Sequence, residues 1–194
     1  IINRFFRKDE SGFFVDVGCF HPLKFNNTWM LYKKGWRGIN IDIDPEKIEI
    51  FNIRRPEDLN IAIGIANFDG LAPCYSASKY SLTTTLSPDF AKDHGSSYTR
   101  DVKVAKLNDI IEASRWKGVQ IDLLSVDVEG MDLDVLKSLD FKTYNPKLVV
   151  AEVPGATLGE IECSEVYKFL LSLGYKMIAW CGLSLLMTNR EPRY

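Results

Sequence analysis

The sequence has few cysteines, no excess of charge of either sign and no long apolar run. Its 4 cysteines (Cys19, Cys74, Cys163 and Cys181) form no Cys-x-x-Cys pair, which argues against a zinc knuckle, a redox dithiol and a disulfide scaffold. A reducing, cytoplasmic location fits this usage best. Lys and Arg together number 24 against 26 for Asp and Glu, so no strong positive field is available to hold a polyanion. We therefore expect no nucleic-acid partner.

The apolar residues are numerous but never continuous over the length of a membrane span. They make up 46% of the 194 residues, which is too many for a disordered chain, and the length suits one compact domain over residues 1–194. The longest apolar stretch, 177–187, is interrupted by Gly182 and Ser184 and falls short of the roughly 18 residues that a span needs. The chain begins at Ile1 without a signal-peptide pattern, and we expect further residues upstream of it.

The hydrophobic pattern alternates between strands and helices. Short apolar runs predict central strands at 13–17, 38–43, 61–66, 121–126 and 148–153, and a terminal hairpin at 175–181 and 184–188. Helical spacing is found at 29–34, 45–55, 108–116, 131–139 and 164–173. The pattern predicts an α/β fold: a Rossmann-like, mostly parallel seven-stranded sheet with helices on both faces and an antiparallel C-terminal hairpin. By analogy of fold alone, the hairpin is the arrangement of class I methyltransferases.

The periodicity fades into Ser, Thr, Tyr and Asp over residues 67–101. An irregular stretch of this length inside a compact domain is typical of a lid or a substrate-binding insertion. An edge strand is predicted to follow it at 102–107, where it would be available to pair with another chain.

Carboxylates stand at the predicted carboxyl ends of four strands. Asp16 ends the first strand, Asp42 and Asp44 the second, Asp127 and Glu129 the fourth, and Glu152 the fifth. Ligands of open α/β sheets bind outside these strand ends, and acids gathered there repel each other. The grouping favours a cationic or hydroxyl-rich ligand, although a helix cap or a solvated turn explains any single acid equally well.

The first turn, DVGCFHP at 16–22, contains one glycine. A dinucleotide fold needs Gly-x-Gly-x-x-Gly at this place to admit a pyrophosphate. S-adenosylmethionine (SAM) has no phosphate, so Gly18 alone can allow the close approach of backbone and ligand. Asp42 is then placed to accept hydrogen bonds from the ribose hydroxyls.

Three segments carry a family resemblance: FVDVGCFHP at 14–22, NNTWMLYKKGWRGINIDIDP at 26–45 and IDLLSVDVEGMDLDVLKSLDF at 121–141. They resemble the FkbM family of SAM-dependent methyltransferases over residues 13–153, and the Asp-Val-Glu-Gly run with its following Leu-x-x-Leu helix is the most specific part. The resemblance implies a class I methyltransferase fold and O-methylation, with SAM as cofactor and a saccharide or other small metabolite as acceptor.

The resemblance also assigns residues to the cofactor site. Asp16 and Gly18 match the cofactor turn, Asn27 and Thr28 the polar pair that opens the next helix, Asp42 the ribose-binding acid, and Asp127 with Glu129 the fourth-strand motif. Cys19 stands where the family has a small residue. Phe20, Ile43 and Ile63 complete the predicted cofactor site, although Phe20 is equally typical of a core residue. The family commonly ends its second strand in a Glu-Pro-Asn-Pro type run, whereas this chain has Asp42-Ile43-Asp44-Pro45, which leaves both acids as candidates for the ribose.

Methyl transfer to a hydroxyl needs a group that orients the acceptor and removes its proton. Asp127 is the predicted base, with Glu129 supporting it or binding the cofactor. The alternative is that Asp127 contacts only the methionine part of the cofactor and Glu129 caps the helix at 131–139. His21 is the other candidate base, with a structural role in the turn as its alternative. No spacing of His and acidic residues predicts a metal site.

Two other functions stay open from the sequence. One is a nucleotide-binding oxidoreductase, against which the single glycine and the terminal hairpin both count. The other is a binding module that keeps the methyltransferase fold without its activity. Binding of S-adenosylhomocysteine (SAH) and a methyl-transfer assay separate the three.

Overall fold

Eleven strands are found in the described part of the chain, residues 1–78 and 84–191 of a computed structural model, and they form two sheets. The larger sheet has seven strands in the order β10-β11-β9-β8-β1-β2-β3. Their bounds are β1 Phe13–Val17, β2 Arg37–Asp42, β3 Leu59–Ala62, β8 Leu123–Val126, β9 Leu148–Glu152, β10 Lys176–Cys181 and β11 Ser184–Thr188. Five neighbouring strands, β9, β8, β1, β2 and β3, run parallel. Strands β11 and β10 form an antiparallel hairpin beside β9. The α/β class and the mostly parallel sheet are therefore confirmed.

Nine helices lie in the same described residues. They are α1 Ile2–Phe5, α2 Trp29–Lys33, α3 Pro45–Arg54, α4 Pro88–Asp93, α5 Leu107–Glu112, α6 Asp132–Lys137, α7 Phe141–Tyr144, α8 Leu158–Cys163 and α9 Glu165–Ser172. The sequence missed α1, α4, α7 and α8, each of 4 or 6 residues, because one helical turn gives no readable period. None of these helices is both long and apolar enough to cross a membrane.

Strand alternation divides the core between the two faces of the larger sheet. Phe13, Val15 and Val17 of β1 face a large cluster that includes side chains of α5, α6, α8 and α9. Phe14 faces the opposite way, into a smaller cluster with Phe6 and Trp36. Asp16 shares the parity of Phe14, so its side chain lies on the face that carries α2 and α3.

The second sheet corrects the prediction of an irregular segment at 67–101. It has four strands in the order β4-β7-β5-β6, with bounds β4 Gly64–Ile65, β5 Gly70–Ser76, β6 Thr84–Thr85 and β7 Tyr98–Ala105, and α4 lies between β6 and β7. Residues 79–83 of the predicted segment lie outside the described residues. Neither strand has a continuous apolar run, since β5 contains Gly70 and Pro73, which are rare inside strands, and β7 mixes charged residues with its valines.

Two strand predictions change as a result. The predicted strand 61–66 is split at Ile63, whose N–H donates to the Asp42 carbonyl oxygen (3.0 Å), so that its first half joins the larger sheet as β3 and its second half the smaller one as β4. The strand predicted at 102–107 is found as the second half of β7, but its predicted edge position is wrong, because β7 lies inside the second sheet between β4 and β5.

Candidate active site

A cavity of about 290 Å³ opens at the carboxyl ends of β1, β2 and β8, and the second sheet forms one of its walls. This is close to the lower end of the range found for small-molecule sites, about 300–1,000 Å³. The larger sheet and its loops contribute Val17, Gly18, Phe20, Phe25, Ile41, Asp42, Ile43, Lys47, Asp127, Val128, Glu129 and Met131. The second sheet and the residues beside it contribute Ile63, Gly64, Ile65, Thr84, Thr85 and Leu86.

Gly18 brings the first turn into contact with the end of β8. Its φ is +76°, and a Cβ at this position would lie 1.7 Å from the carbonyl oxygen of Asp127. Its N–H donates to the Ile41 carbonyl oxygen on the other side (2.8 Å). Only glycine satisfies both the left-handed backbone and this close approach, so the turn lies flat against the floor of the cavity.

Asp42 is the acid of the second strand that lines the cavity. It is buried, and its carboxylate accepts the backbone N–H groups of Phe20 (3.1 Å) and Asp44 (3.0 Å). Burial raises the pKa of Asp42, and Lys47, whose Nζ is 3.6 Å from Oδ1, opposes that effect. Asp44 is occupied differently, since its side chain caps α3 by accepting the Glu46 N–H (2.9 Å).

Asp16 does not line the cavity but belongs to a buried polar network beneath the first turn. Its Oδ2 accepts hydrogen bonds from the Thr28 hydroxyl (2.9 Å) and the Asn26 amide (3.0 Å). Burial raises the pKa of Asp16, and the Arg55 guanidinium opposes this shift. The partners of the carboxylate are donors and a cation, which is the environment of an ionised acid.

Arg55 is the centre of that network and is 0% exposed. Its guanidinium donates to the Thr28 hydroxyl (2.8 Å), the Asn26 side-chain oxygen (2.6 Å) and the Pro22 carbonyl oxygen (3.0 Å from Nε). It therefore ties the end of α3 to the loop that joins β1 to α2. We call Asp16, Asn26, Thr28, Arg55 and the Pro22 carbonyl the Arg55 network.

Three more predicted residues, one in the first turn and two in the loop before α2, lie away from the cavity. Cys19 is buried with Ile48 and Phe51 beneath α3, and burial raises the pKa of its thiol well above the ordinary value. The exposed Asn27 donates to the Ser125 hydroxyl (3.2 Å). Neither side chain lines the site, and Thr28, which precedes α2, bonds Asp16 instead of capping that helix.

His21 holds the loop rather than facing the cavity. Its Nδ1 accepts the backbone N–H groups of Leu23 (3.1 Å) and Lys24 (3.2 Å). Burial lowers the pKa of this imidazole, and nearby cations lower it further. The placement favours the structural alternative for His21 over a catalytic one.

Asp127 lines the cavity with a second carboxyl group behind it. Its side chain shares a hydrogen bond with Glu152, and burial, reinforced by the charge of Asp127, raises the pKa of Glu152 to about 8. The buried Asp132 lies beside them and accepts the Glu152 N–H (3.1 Å), and burial raises the pKa of Asp132 to about 7. The raised pKa of Glu152 favours one shared proton in this pair, with Glu152 as the hydrogen-bond donor and the Asp127 carboxylate as the acceptor. We call Asp127 and Glu152 the carboxyl pair.

Glu129 lines the same wall in an unusual backbone conformation. Its φ is +54°, and its carbonyl oxygen accepts the hydroxyl hydrogen of Thr85 (2.7 Å) from the second sheet. It does not cap α6, because Met131 precedes that helix without a side-chain cap. Burial raises the pKa of Glu129, and the charge of Asp127 acts in the same direction.

The sequence reasoning found part of this wall and missed the rest. The structure brings together Gly18, Phe20, Asp42, Ile43, Ile63, Asp127 and Glu129, and leaves out Asp16, Cys19, His21 and Asn27. It adds Phe25, Lys47 and Thr85 at the cavity and Arg55 beneath the first turn, and it brings Glu152, one of the predicted strand-end acids, next to Asp127. A Lys two residues after a helix-starting Pro and a buried Arg at a helix end carry no sequence signal of their own. Within residues 1–78 and 84–191 there is no group of three or more His, Cys, Asp or Glu residues able to hold a metal ion.

A family model described as the methyltransferase FkbM domain matches residues 16–177. The chain belongs to this family. The resemblance carried by the three sequence segments is thereby confirmed, and the match extends beyond them into β10.

The fold is similar to a solved FkbM structure. A crystal structure of methyltransferase FkbM from Methylobacillus flagellatus KT, at 2.20 Å resolution, matches with a TM-score of 0.61 and 14% sequence identity, over 96% of this chain and 47% of that one. The chain thus spans about half the length of this structural relative. No curated protein is significantly similar to it in sequence.

Proposed function

We propose that the protein is a SAM-dependent O-methyltransferase that acts on a hydroxyl group of a saccharide or another small metabolite. Membership of the FkbM family supports methyl transfer in general. The observation that carries the finer proposal is that one cavity joins the Gly18 turn and Asp42 on one side to Asp127 on the other, with Glu152 behind it. A cofactor site and a proton acceptor therefore share one space.

The residues present fit SAM. Gly18 lets the first turn pack against the end of β8, so Gly18, Asp42 and Asp127 line one cavity in which a cofactor can contact all three. Asp42 has two backbone donors on a group with about four acceptor sites, which leaves capacity for a ribose diol. Ile43 and Ile63 offer apolar walls for the base, and the acids nearby suit the positive charges of the cofactor.

A dinucleotide fits less well. A pyrophosphate would meet Asp42, Asp127 and Glu129 in the same cavity, where Lys47 is the lining cation and is already 3.6 Å from Asp42. The first turn also has one glycine in place of the three that cradle a pyrophosphate. These features support the methyltransferase over the oxidoreductase.

The carboxyl pair supplies the proton acceptor. When bound, SAM supplies a methyl group activated by a sulfonium. Asp127 accepts the hydrogen bond of the acceptor hydroxyl, holds its oxygen in place and takes the proton as the new C–O bond forms. Glu152, protonated behind it, keeps Asp127 ionised and oriented. Deprotonation of the acceptor thus depends on a neighbouring acid that stays neutral.

Calorimetry with SAH, SAM and NAD, followed by transfer of a labelled methyl group from SAM to a panel of saccharides, tests the proposal. We expect SAH and SAM to bind and to raise the melting temperature, NAD to do neither, and one or more saccharides to become labelled. Absence of SAH binding would contradict the cofactor assignment. Binding without label on any acceptor would favour the inactive binding module.

A further inference from the structure

Phe25 is an aromatic residue placed where folding alone gives it no contact. Its side chain is 95% exposed although it lines the mouth of the cavity. Its backbone has φ +49°, a left-handed conformation that a bulky side chain rarely adopts. The folded chain therefore holds an apolar ring in water and a strained backbone at one position, beside the cavity, and strain of this kind clusters at ligand sites.

The neighbouring residues fix Phe25 in this position. Asn26 donates to the Cys19 carbonyl oxygen (3.1 Å) and accepts from Arg55, and the Pro22 carbonyl oxygen accepts from the same guanidinium. The loop is thus closed on itself and fastened to α3 on both sides of Phe25. The hydrogen bonds on both sides of Phe25 therefore keep its ring in this exposed position.

The first turn and this loop connect Phe25 to the acid at the end of β2. Phe20 donates its N–H to Asp42, and its ring lies 5.2 Å from the Lys47 ammonium on α3. Arg55, at the end of α3, holds the rest of the loop. Phe25 thus lines the same cavity as Phe20 and Asp42, the acid that holds the ribose in the proposed function.

We propose that Phe25 is a cofactor-binding residue whose ring packs against the nucleoside part of SAM. This inference rests on the proposed function and adds a residue that closes the cofactor site from the solvent side. A nucleoside offers flat apolar faces to an aromatic ring, and burial of the ring recovers the contact that the unliganded fold leaves unmade. The acceptor is the competing occupant, and the experiment separates the two.

Titration calorimetry with SAH, which carries the nucleoside without an acceptor, is the direct test. We expect Phe25→Ala to weaken SAH binding about tenfold and Phe25→Tyr to restore it to within about twofold, because the ring and not the residue's backbone makes the contact. The matched control is Leu23→Ala, in the same loop, 37% exposed and outside the cavity lining. It should leave SAH affinity unchanged within about twofold. The melting temperature without ligand should be the same for all variants, since neither side chain is buried.

A second readout follows the ring itself. With 4-fluorophenylalanine incorporated at the 11 Phe positions, the fluorine resonance that is lost in Phe25→Tyr should shift when SAH is added. Unchanged SAH affinity of Phe25→Ala together with an unmoved resonance would overturn the inference while the proposed function stands. Equal losses for Phe25→Ala and Leu23→Ala would overturn it as well, since they would indicate a general effect on the loop. If the wild-type protein does not bind SAH, the proposed function fails and this inference fails with it.

Discussion

Asp16 and Asp127 stand at the ends of adjacent strands, but the charges of their two carboxylates are stabilised in different ways. Asp16 lies in the Arg55 network among donors and a guanidinium, and it touches no ligand space. Asp127 faces the cavity and is backed by another acid, Glu152, which keeps its proton. The first acid is stabilised by a countercharge, and the second by the neutrality of its neighbour.

The difference distinguishes a carboxylate with a structural role from one that can exchange a proton. A buried arginine stabilises the charged form of the carboxylate beside it, because protonation of that carboxylate would leave the arginine unpaired. A carboxylate hydrogen-bonded to a protonated acid sits where protons are exchanged readily. Acids at strand ends are thus of two kinds, and the partner rather than the residue type decides which kind each one is.

The largest effect is expected from removal of the cation in the Arg55 network. Arg55→Ala should lower the free energy of unfolding by about 3–5 kcal/mol, because it leaves Asp16 as a buried acid without its cation. Urea denaturation measures this, and exposed Arg54→Ala, one residue earlier, should cost less than about 0.5 kcal/mol. Similar losses in the two variants would show that the network carries no special stability.

The next largest effect is expected from a change at Asp127, the acid that lines the cavity. Asp127→Asn should lower kcat for methyl transfer about 100-fold, since an amide cannot accept the proton, while SAH affinity stays within about threefold. The control is Asp44→Asn, which keeps a side chain able to cap α3. Near-normal turnover of a folded Asp127→Asn protein would remove Asp127 as the base and leave it a cofactor contact.

The smallest effect is a change in how stability depends on pH. Glu152 has a pKa of about 8 when folded against an ordinary value of 4.5, so between these values only the folded state keeps the proton. Stability should therefore be greatest near pH 5 and should decrease as the pH rises toward 8, with Asp132 contributing in the same direction. Glu152→Gln should remove about 2 kcal/mol of that decrease, measured by urea denaturation at both pH values. Glu162→Gln, exposed on α8, should leave the decrease unchanged; an unchanged decrease in Glu152→Gln would show that Glu152 is ionised at neutral pH.

The larger sheet could be predicted because its strands are apolar and its connections short. Residues 13–17 and 184–188 were predicted to the residue as strands, and the helices beginning at Pro45 and after Ser164 carry readable caps. The second sheet could not be predicted, because β6 has 2 residues, β5 contains a glycine and a proline, and β5 and β7 pair across 21 or more residues of sequence. Such strands are specified by their partners and not by their own period.

The candidate site was predictable where the backbone dictates the residue type. Gly18 is required by a close approach, and Asp42 and Asp127 follow strands whose ends meet in the sheet. The direction of a side chain was harder to predict. Asp16 and Val17 are adjacent in β1, so their side chains point to opposite faces of the sheet. Arg55 and Thr85 act through contacts between distant segments, which a single sequence does not reveal.

The second sheet begins and ends with strands that pair with each other, β4 and β7. Gly64 pairs with Val104 and Ile65 with Ala105, so the entry and exit of this 42-residue excursion are neighbouring strands about 4.8 Å apart. A segment with adjoining ends can be exchanged for another without disturbing the sheet on which it sits. Because Thr85 and Leu86 form part of the cavity wall, such an exchange would give a new pocket shape while Asp42 and Asp127 stay in place. Under the proposed function, replacement of this segment, in evolution or by design, would change the acceptor that the protein binds.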